Sequence, residues 1–444
     1  MRNEKALRKS RHPRRAIRDP RRAGIATLWV VLTITTLFAF LAIVVDITFV
    51  TLAGQQLSAG ADASALAGVA QVRRSESAAR DQAVALALAN VVNTDNIQVR
   101  RNDANAATGD VVIGIYRRAD RSFTPTTGTR LPNAVRVNAL RTTGSEGGQL
   151  STLFGLSIDV ERNATAMIRG DIGPGIIALH LTDPCTLDMR GTAGTFSVQN
   201  GAVQVNSSHG DAACHAGQPT MEVEEVYVVG GTDKRFEDQV DLDGELITGA
   251  DPIPDPLAAL PEPTLPSVNF GNRTINNGTH TLQPGVYNKL TITGGNVTFQ
   301  SGLYYFTGEF KHTGGNVDAT SGVMLFIGPT GNLDIAGNGT FRIDGMSPTV
   351  YPNGPTVPAS VRDIKVPIFQ SRSNTQQVEL NGTTNWQMGG TIYIPEGSLE
   401  VYGTPGTFAN GLIAGSIVVR GTADVSIDYI DQFPRLPRKV FLVE

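Results

Sequence analysis

PGVYNKLTITGGNVTFQSGLYYFTGEFKHTGGNV, residues 284–317, carries the tetrad Gly-Gly-Asn-Val twice, at Gly294–Val297 and Gly314–Val317, 20 residues apart. PGVY and SGLYYF precede the two tetrads, with Gly285 and Gly302 in equivalent places. Between the turns run short stretches in which alternate residues are apolar: Leu290 and Ile292, then Val297 and Phe299. A period of two marks a strand with one buried face. Gly and Asn tolerate the left-handed backbone that corners demand. A unit of this size cannot bury its own apolar side, so neighbouring units must share one core. The pattern predicts a parallel β-helix, a solenoid of stacked coils. A β-sandwich is the alternative, disfavoured by the scarcity of tight hairpin signals.

The same texture extends from about Gly175 to Ile430, in SGVMLFIG, NLDIAGNGTFRID, GSLEVYGTPGTF and GSIVVRGTADVSID. The 48 glycines and only 6% aromatic residues fit a chain of short strands and many turns. Six prolines (252, 254, 256, 261, 263 and 266) interrupt this texture in GADPIPDPLAALPEPTLPSV. Proline at that density blocks helix and ladder alike, so residues 249–268 read as an extended linker or a strap along the solenoid. They divide a first β block, 173–248, from a main block, 269–434, which a short tail, 435–444, follows.

At the other end the charge is uneven. Residues 1–22 hold ten Lys/Arg against two acids, which leaves 27 basic and 39 acidic residues for the rest of the chain. Next comes IATLWVVLTITTLFAFLAIVV, Ile25–Val45, with no charge in it. As a helix it would be about 32 Å long, matching a hydrocarbon core of about 30 Å. Arg21 and Arg22 flank its start and Asp46 closes it. The positive-inside rule puts the basic tail in the cytoplasm and everything after Asp46 outside. The competing reading is a cleaved signal peptide, but the apolar run is long for one and Thr51-Leu52-Ala53 is a mediocre cleavage site. The basic arm then serves topology, with attraction to anionic headgroups secondary. Nucleic acid is not an expected partner, because no reading module accompanies the arm.

Past Asp46 the helical pattern continues, with Leu52, Ala59, Ala63, Leu66 and Ala70 on one stripe and small residues (Gly60, Ser64, Gly68) every fourth position. Such a face lets another helix approach closely, either within the domain or in another subunit. The anchor and its extension span 23–72, and a small α/β region follows at 73–172. Its expected elements are a helix at 75–92, strands at 97–101, 110–116, 134–140 and 158–168, and a short helix at 150–156. Arg100, Arg101, Arg117 and Arg118 read as a solvated face.

The arrangement RRAGIATLWVVL, an apolar run ending VVDITFV, and then LAGQQLSAGADASALAGVA resembles the N-terminus of the TadG-like proteins of the Tad/Flp pilus-assembly system. The matching elements are Arg21, Arg22, Gly24, Asp46 and the Ala61–Gly68 run that contains Asp62, Ser64 and Leu66. IALHLTDPCTLDMRG, IFQSRSNTQQVELNG and GTIYIPEGSLEV resemble the C-terminal region of some larger members. The resemblance implies a bitopic protein of the bacterial envelope, at the cytoplasmic membrane, associated with pilus biogenesis or attachment. Prepilins cut by the dedicated peptidase carry Glu five residues after the cleaved Gly; counted from Gly24 that position is Trp29. The departure favours an uncleaved anchor over a pilin subunit.

Cys185 and Cys214, the only two cysteines, fall in the region placed outside the cytoplasm, where an even count reads as one disulfide. Closing so long a loop stabilises by about 3–4 kcal/mol on the chain-entropy model. A zinc site from Cys185, Cys214, His209 and His215 is the sharper alternative, with a spacing that matches no common zinc pattern.

No catalytic constellation stands out: no G-x-S-x-G, no H-E-x-x-H and no phosphate loop. Asp241–Glu245 has a D-x-D-G shape without the later ligands of a calcium loop. Asp334, Asp344, Asp424, Asp428, His280 and His312 are scattered through the strand pattern. The expectation is therefore a membrane-anchored structural or interaction protein, not an enzyme, with no cofactor and no metal. Its expected partners are the membrane, other pilus-assembly proteins and surface glycans. The alternative is an envelope-tethered carbohydrate-active β-helix enzyme, or a carbohydrate-binding module showing Tyr304, Tyr305 and Tyr393 as an exposed row.

Overall fold

The computed structural model describes residues 20–443, apart from 119, 127, 129, 153–154, 192–193, 243–244, 348–355, 383–385, 403–406 and 422–424. The basic tail before Pro20, the side chains of Arg21, Arg22 and Asp241, the pair Asp243-Gly244, and Asp424 lie outside the described set.

Helix α1 runs unbroken from Pro20 to Val69, 50 residues, or about 75 Å. From Ile25 to Val45 it carries no charge and is exposed almost throughout: Leu28 is 70% and Phe40 65% accessible. Thr33, Thr35 and Thr36 donate their hydroxyls to the carbonyls of Trp29, Val31 and Leu32. Their polar atoms are thus satisfied within the helix, as a hydrocarbon surrounding requires. One helix among the described residues, α1, is long and apolar enough to cross a membrane.

From Ala53 onward one stripe of α1 becomes buried, through Leu57, Ala61, Ala65 and Val69. The stripe packs against α2 (Glu76–Ala89), whose N-cap Ser75 accepts a hydrogen bond from Ala78 N. It also packs on a five-stranded antiparallel sheet ordered Lys439–Leu442, Val160–Arg169, Ala134–Arg141, Val111–Arg117, Ser122–Pro125. The edge strand Lys439–Leu442 comes from the tail, so residues 173–434 are inserted between two paired strands of this five-stranded sheet.

Two expectations for this unit are corrected. Residues 97–101 form no strand: Ile97 and Val99 are buried, but Arg100 N bonds the Asp110 carboxylate instead of a ladder partner. Residues 150–156 form no helix. Leu150–Ser151 pairs antiparallel with Ser157–Ile158, and Gly155 takes a left-handed φ of 77° in the turn, which ends helical propagation.

The inserted region is mainly β and is built on a 21-stranded sheet in which the strand pairings are parallel. A second sheet of five strands runs beside it, also parallel. The repeated tetrads pair directly: Asn296 and Val297 face Asn316 and Val317, and Asn316 Nδ2 donates to Asn296 Oδ1 at 3.0 Å. Gly315 shows why the repeat needs glycine. Its φ is +86°, and a Cβ there would lie 2.6 Å from the backbone of Gly294 and Gly295. Leu290, Ile292, Val297 and Phe299 all point into the core. A file of rings follows the same direction, Phe270 to Tyr287 to Phe306 to Phe310 to Phe341, with centroids 5.0–6.4 Å apart. A large parallel sheet is a coarser arrangement than the parallel β-helix expected from the repeats.

The two β blocks are one body. Gly411–Gly421, near the end of the main block, pairs with Pro174–Ala178 and Leu187–Gly191 of the first. The chain therefore enters the sheet in its middle, leaves at Leu246–Thr248, and re-enters at Asn272–Ile275. The proline-rich segment makes that crossing: Leu257 and Leu260 are fully buried among Leu303, Phe326, Phe369, Tyr393 and Ile413. Arg372 holds it through the carbonyls of Leu257 and Leu260, at 3.0 and 2.9 Å, and Asp255 accepts from the Tyr393 hydroxyl at 2.6 Å. The short helix α3 (Lys234–Gln239) puts Phe236 into the core of the first block.

Candidate functional site

The small residues of α1 meet the protein's own domain. A Cβ on Gly60 would sit 2.2 Å from Ile97 Cδ1, and one on Gly68 would sit 3.1 Å from Ala79 O and Ala83 Cβ. Ser64 is buried and donates to Gly60 O at 2.6 Å. Asp62 and Leu66 are half-buried at the edge of the same contact, and burial pushes the Asp62 carboxyl above the usual range. Asp46 stands where the uncharged run ends, half-buried.

Beyond α1 the chain turns at Arg73 and Arg74, which tie the unit of α1, α2 and the antiparallel sheet to the β region. Arg73 Nη2 lies 2.8 Å from Glu225 Oε1, with side-chain exposures of 1% and 0%. The other Glu225 oxygen accepts from Gly170 N at 2.9 Å and from the Tyr227 hydroxyl at 2.6 Å, while Arg73 Nη1 donates to Gly170 O at 2.7 Å. Burial beside this carboxylate pushes the Tyr227 phenol far above its ordinary value. Arg74 clasps Asp171 with two bonds of 3.0 Å, and Arg435 Nη1 donates to Asp171 O at 2.8 Å. Glu245, from the D-x-D-G run, bridges Arg118 and Arg169. Sequence reasoning missed Arg73, Glu225 and Asp171. No local pattern marks them, because the junction is assembled from four distant segments.

Cys185 and Cys214 form a disulfide with Cα atoms 5.0 Å apart. The histidines of the zinc alternative are engaged elsewhere: His215 Nε2 lies 2.7 Å from Pro219 O, and His209 Nδ1 accepts from Asp211 N. Among the described residues no group of three His, Cys, Asp or Glu is placed to hold a metal ion.

Of the scattered acids, Asp334 lies in a ladder of carboxylates. Asp334, Glu379 and Glu400 occupy facing positions on successive parallel strands. They do not converge. Asp334 pairs with Lys311 at 2.5 Å, Glu400 pairs with Arg420 at 2.6 Å, and Gln377 bonds both Glu379 and Glu400. Asp344 pairs with Lys365 in the same way. Tyr304 and Tyr393 are fully buried and half-buried Tyr305 packs at a tilt against Phe326, so the three tyrosines present no exposed row. His280 closes a turn against Asn277 O, and His312 is buried on Phe341.

One cleft of about 570 Å³ opens beside the strap. Leu179, Ile253, Pro254 and Pro395 form its walls, and His180 and Asp183, with Nδ1 and Oδ2 2.9 Å apart, stand with Glu396 in its lining. No family model, no curated protein and no solved structure matches this chain.

Proposed function

We propose that this chain is a membrane-anchored, surface-directed structural or interaction protein of Tad/Flp-type pilus assembly or adhesion, without catalytic activity. It spans the bacterial cytoplasmic membrane once, with its basic tail in the cytoplasm and its β region in the periplasm or beyond. The observation that carries this reading is α1 itself. A single helix passes from an uncharged, exposed run, Ile25–Val45, into the core of a folded unit, which a buried ion pair fixes to the β region. That is how a rigid projection is held at a bilayer. The disulfide supports an oxidising compartment for the β region. The TadG-like pattern around α1 supports the pilus-assembly setting.

The β region reads as a parallel β-helix in this proposal. Strands pair in parallel with strands roughly one turn of chain ahead: Asn272 with Lys289, Leu290 with Phe310, Glu309 with Asn332. Repeats that stack on their neighbours suit a projecting body.

A second reading, glycan binding by the same anchored protein, draws on the cleft beside the strap, which combines apolar walls with a His–Asp pair. Pull-down of the full-length protein from detergent-solubilised membranes tests the choice. Co-purifying secretion or pilus components support the structural role. Recovery of none of them, together with degradation of an envelope glycan by the purified protein, overturns it.

A further inference from the structure

The hairpin of Leu150–Ser151 and Ser157–Ile158 has a defined height along α1. Strand Val160–Arg169 runs in the same direction as the helix: Arg162 lies against Gly54, and Gly170 is bonded to Arg73. Followed backward from Val160, the chain therefore descends toward the apolar half of α1. Ile158 already packs in one cluster with Phe49 and Val50. Leu156 is two residues further, a descent of ~6–7 Å in a strand. On a helix that rises ~1.5 Å per residue, this is level with about Val45 and Asp46, where the uncharged run ends.

Leu156 is 62% exposed, and Ile47, close to that level on α1, is 61% exposed. The described residues of the turn bond to one another. Thr152 N donates to Leu156 O at 2.8 Å, Leu156 N to Thr152 Oγ1 at 3.1 Å, and Gly155 N to Thr152 O at 3.0 Å. Backbone groups paired in this way can enter the headgroup region at little cost.

We propose that this hairpin is a second contact with the bilayer, seating Leu156 at the boundary of headgroups and acyl chains beside α1. Two contacts at different points on the surface fix the tilt of the membrane-proximal unit, and so the direction in which the β region projects. The inference rests on α1 being the membrane span.

The test places one tryptophan at a time in the full-length chain, reconstituted in phosphatidylcholine–phosphatidylglycerol vesicles that carry a nitroxide on the lipid. Leu156→Trp is made with Trp29→Phe and Trp386→Phe; a companion chain keeps only Trp29. The expected result is that the Leu156→Trp chain is quenched about twofold more by lipid labelled near the headgroup than by lipid labelled near the acyl terminus, as suits an interfacial ring. Trp29 must also respond to the labelled lipid. If Trp29 is quenched and the Leu156→Trp chain is not, the hairpin contact is wrong while the anchor stands. If neither is quenched, the anchor reading fails and the hairpin falls with it. Leu156→Cys carrying a spin label, in a chain whose two native cysteines are oxidised, repeats the measurement by oxygen accessibility should the tryptophan variant misfold.

Discussion

Arg73 and Glu225, 152 residues apart in sequence, form a fully buried ion pair at the point where the unit of α1, α2 and the antiparallel sheet meets the β region. A pair taken out of water in this way is retained only with good geometry and further hydrogen bonds, which Gly170 and Tyr227 supply. Removing one partner leaves a charge buried without compensation. Arg73→Ala or Glu225→Gln should therefore destabilise by about 3–5 kcal/mol, and the double substitution should cost less than the sum of the two. Denaturant unfolding of the four chains checks this; additive losses near zero would remove the junction from the account.

The disulfide gives a second prediction. Cys185 and Cys214 close a separation of 29 residues, worth about 3–4 kcal/mol on the chain-entropy model. Cys185→Ser with Cys214→Ser should lower the unfolding midpoint accordingly, and the native chain should react with no thiol reagent until it is reduced.

His312 makes the β region sensitive to acid. Its ring is 1% exposed against Phe341, and burial pushes its pKa below the ordinary histidine value, partly offset by a backbone contact at Gly315. Below about pH 6.5 the unfolded chain takes up a proton that the folded ring resists. Stability contributed by the neutral ring is thus complete above that value and falls as pH drops, until the folded ring protonates as well. His312→Leu should flatten this part of the pH profile while leaving stability near pH 8 little changed. An unaltered slope would mean that His312 is not the sensor.

Gly315 tests the stacking of the repeats. With φ at +86° and no room for a Cβ against Gly294 and Gly295, Gly315→Ala meets both a backbone penalty of about 1–2 kcal/mol and a clash. The loss should exceed that of Gly128→Ala, where φ is +89° but nothing lies within 4 Å. Equal losses would show that the close approach is absent.

Much of this was legible because it is local. An uncharged run needs no partner to declare itself, and α1 follows Ile25–Val45 directly. The offset of the Gly-Gly-Asn-Val tetrads reappears as the register of Asn296 on Asn316, since the same backbone demand recurs at each repeat. What was hidden is what distant segments make together. Nothing near Lys439–Leu442 says that it completes a sheet begun by Val111–Arg117, nor that Gly411–Gly421 meets Pro174–Ala178. The hairpin at 150–158 was misread because QLSTLFGL has helical composition; Gly155 and the Thr152 cap decide otherwise. Whether the small residues of α1 faced their own domain or another subunit also depended on Ile97 and Ala83, which only the folded unit brings near.

The central claim is an anchor with its β region outside the cytoplasm, and labelling with a membrane-impermeant maleimide tests it most directly. Two chains are compared in intact spheroplasts, one with Thr279→Cys on an exposed edge strand of the β region, the other with Ser10→Cys in the basic tail. The account predicts that the Thr279→Cys chain is labelled without permeabilisation and the Ser10→Cys chain only after lysis. The reverse pattern, or release of the whole chain from membranes by alkaline carbonate, would contradict it.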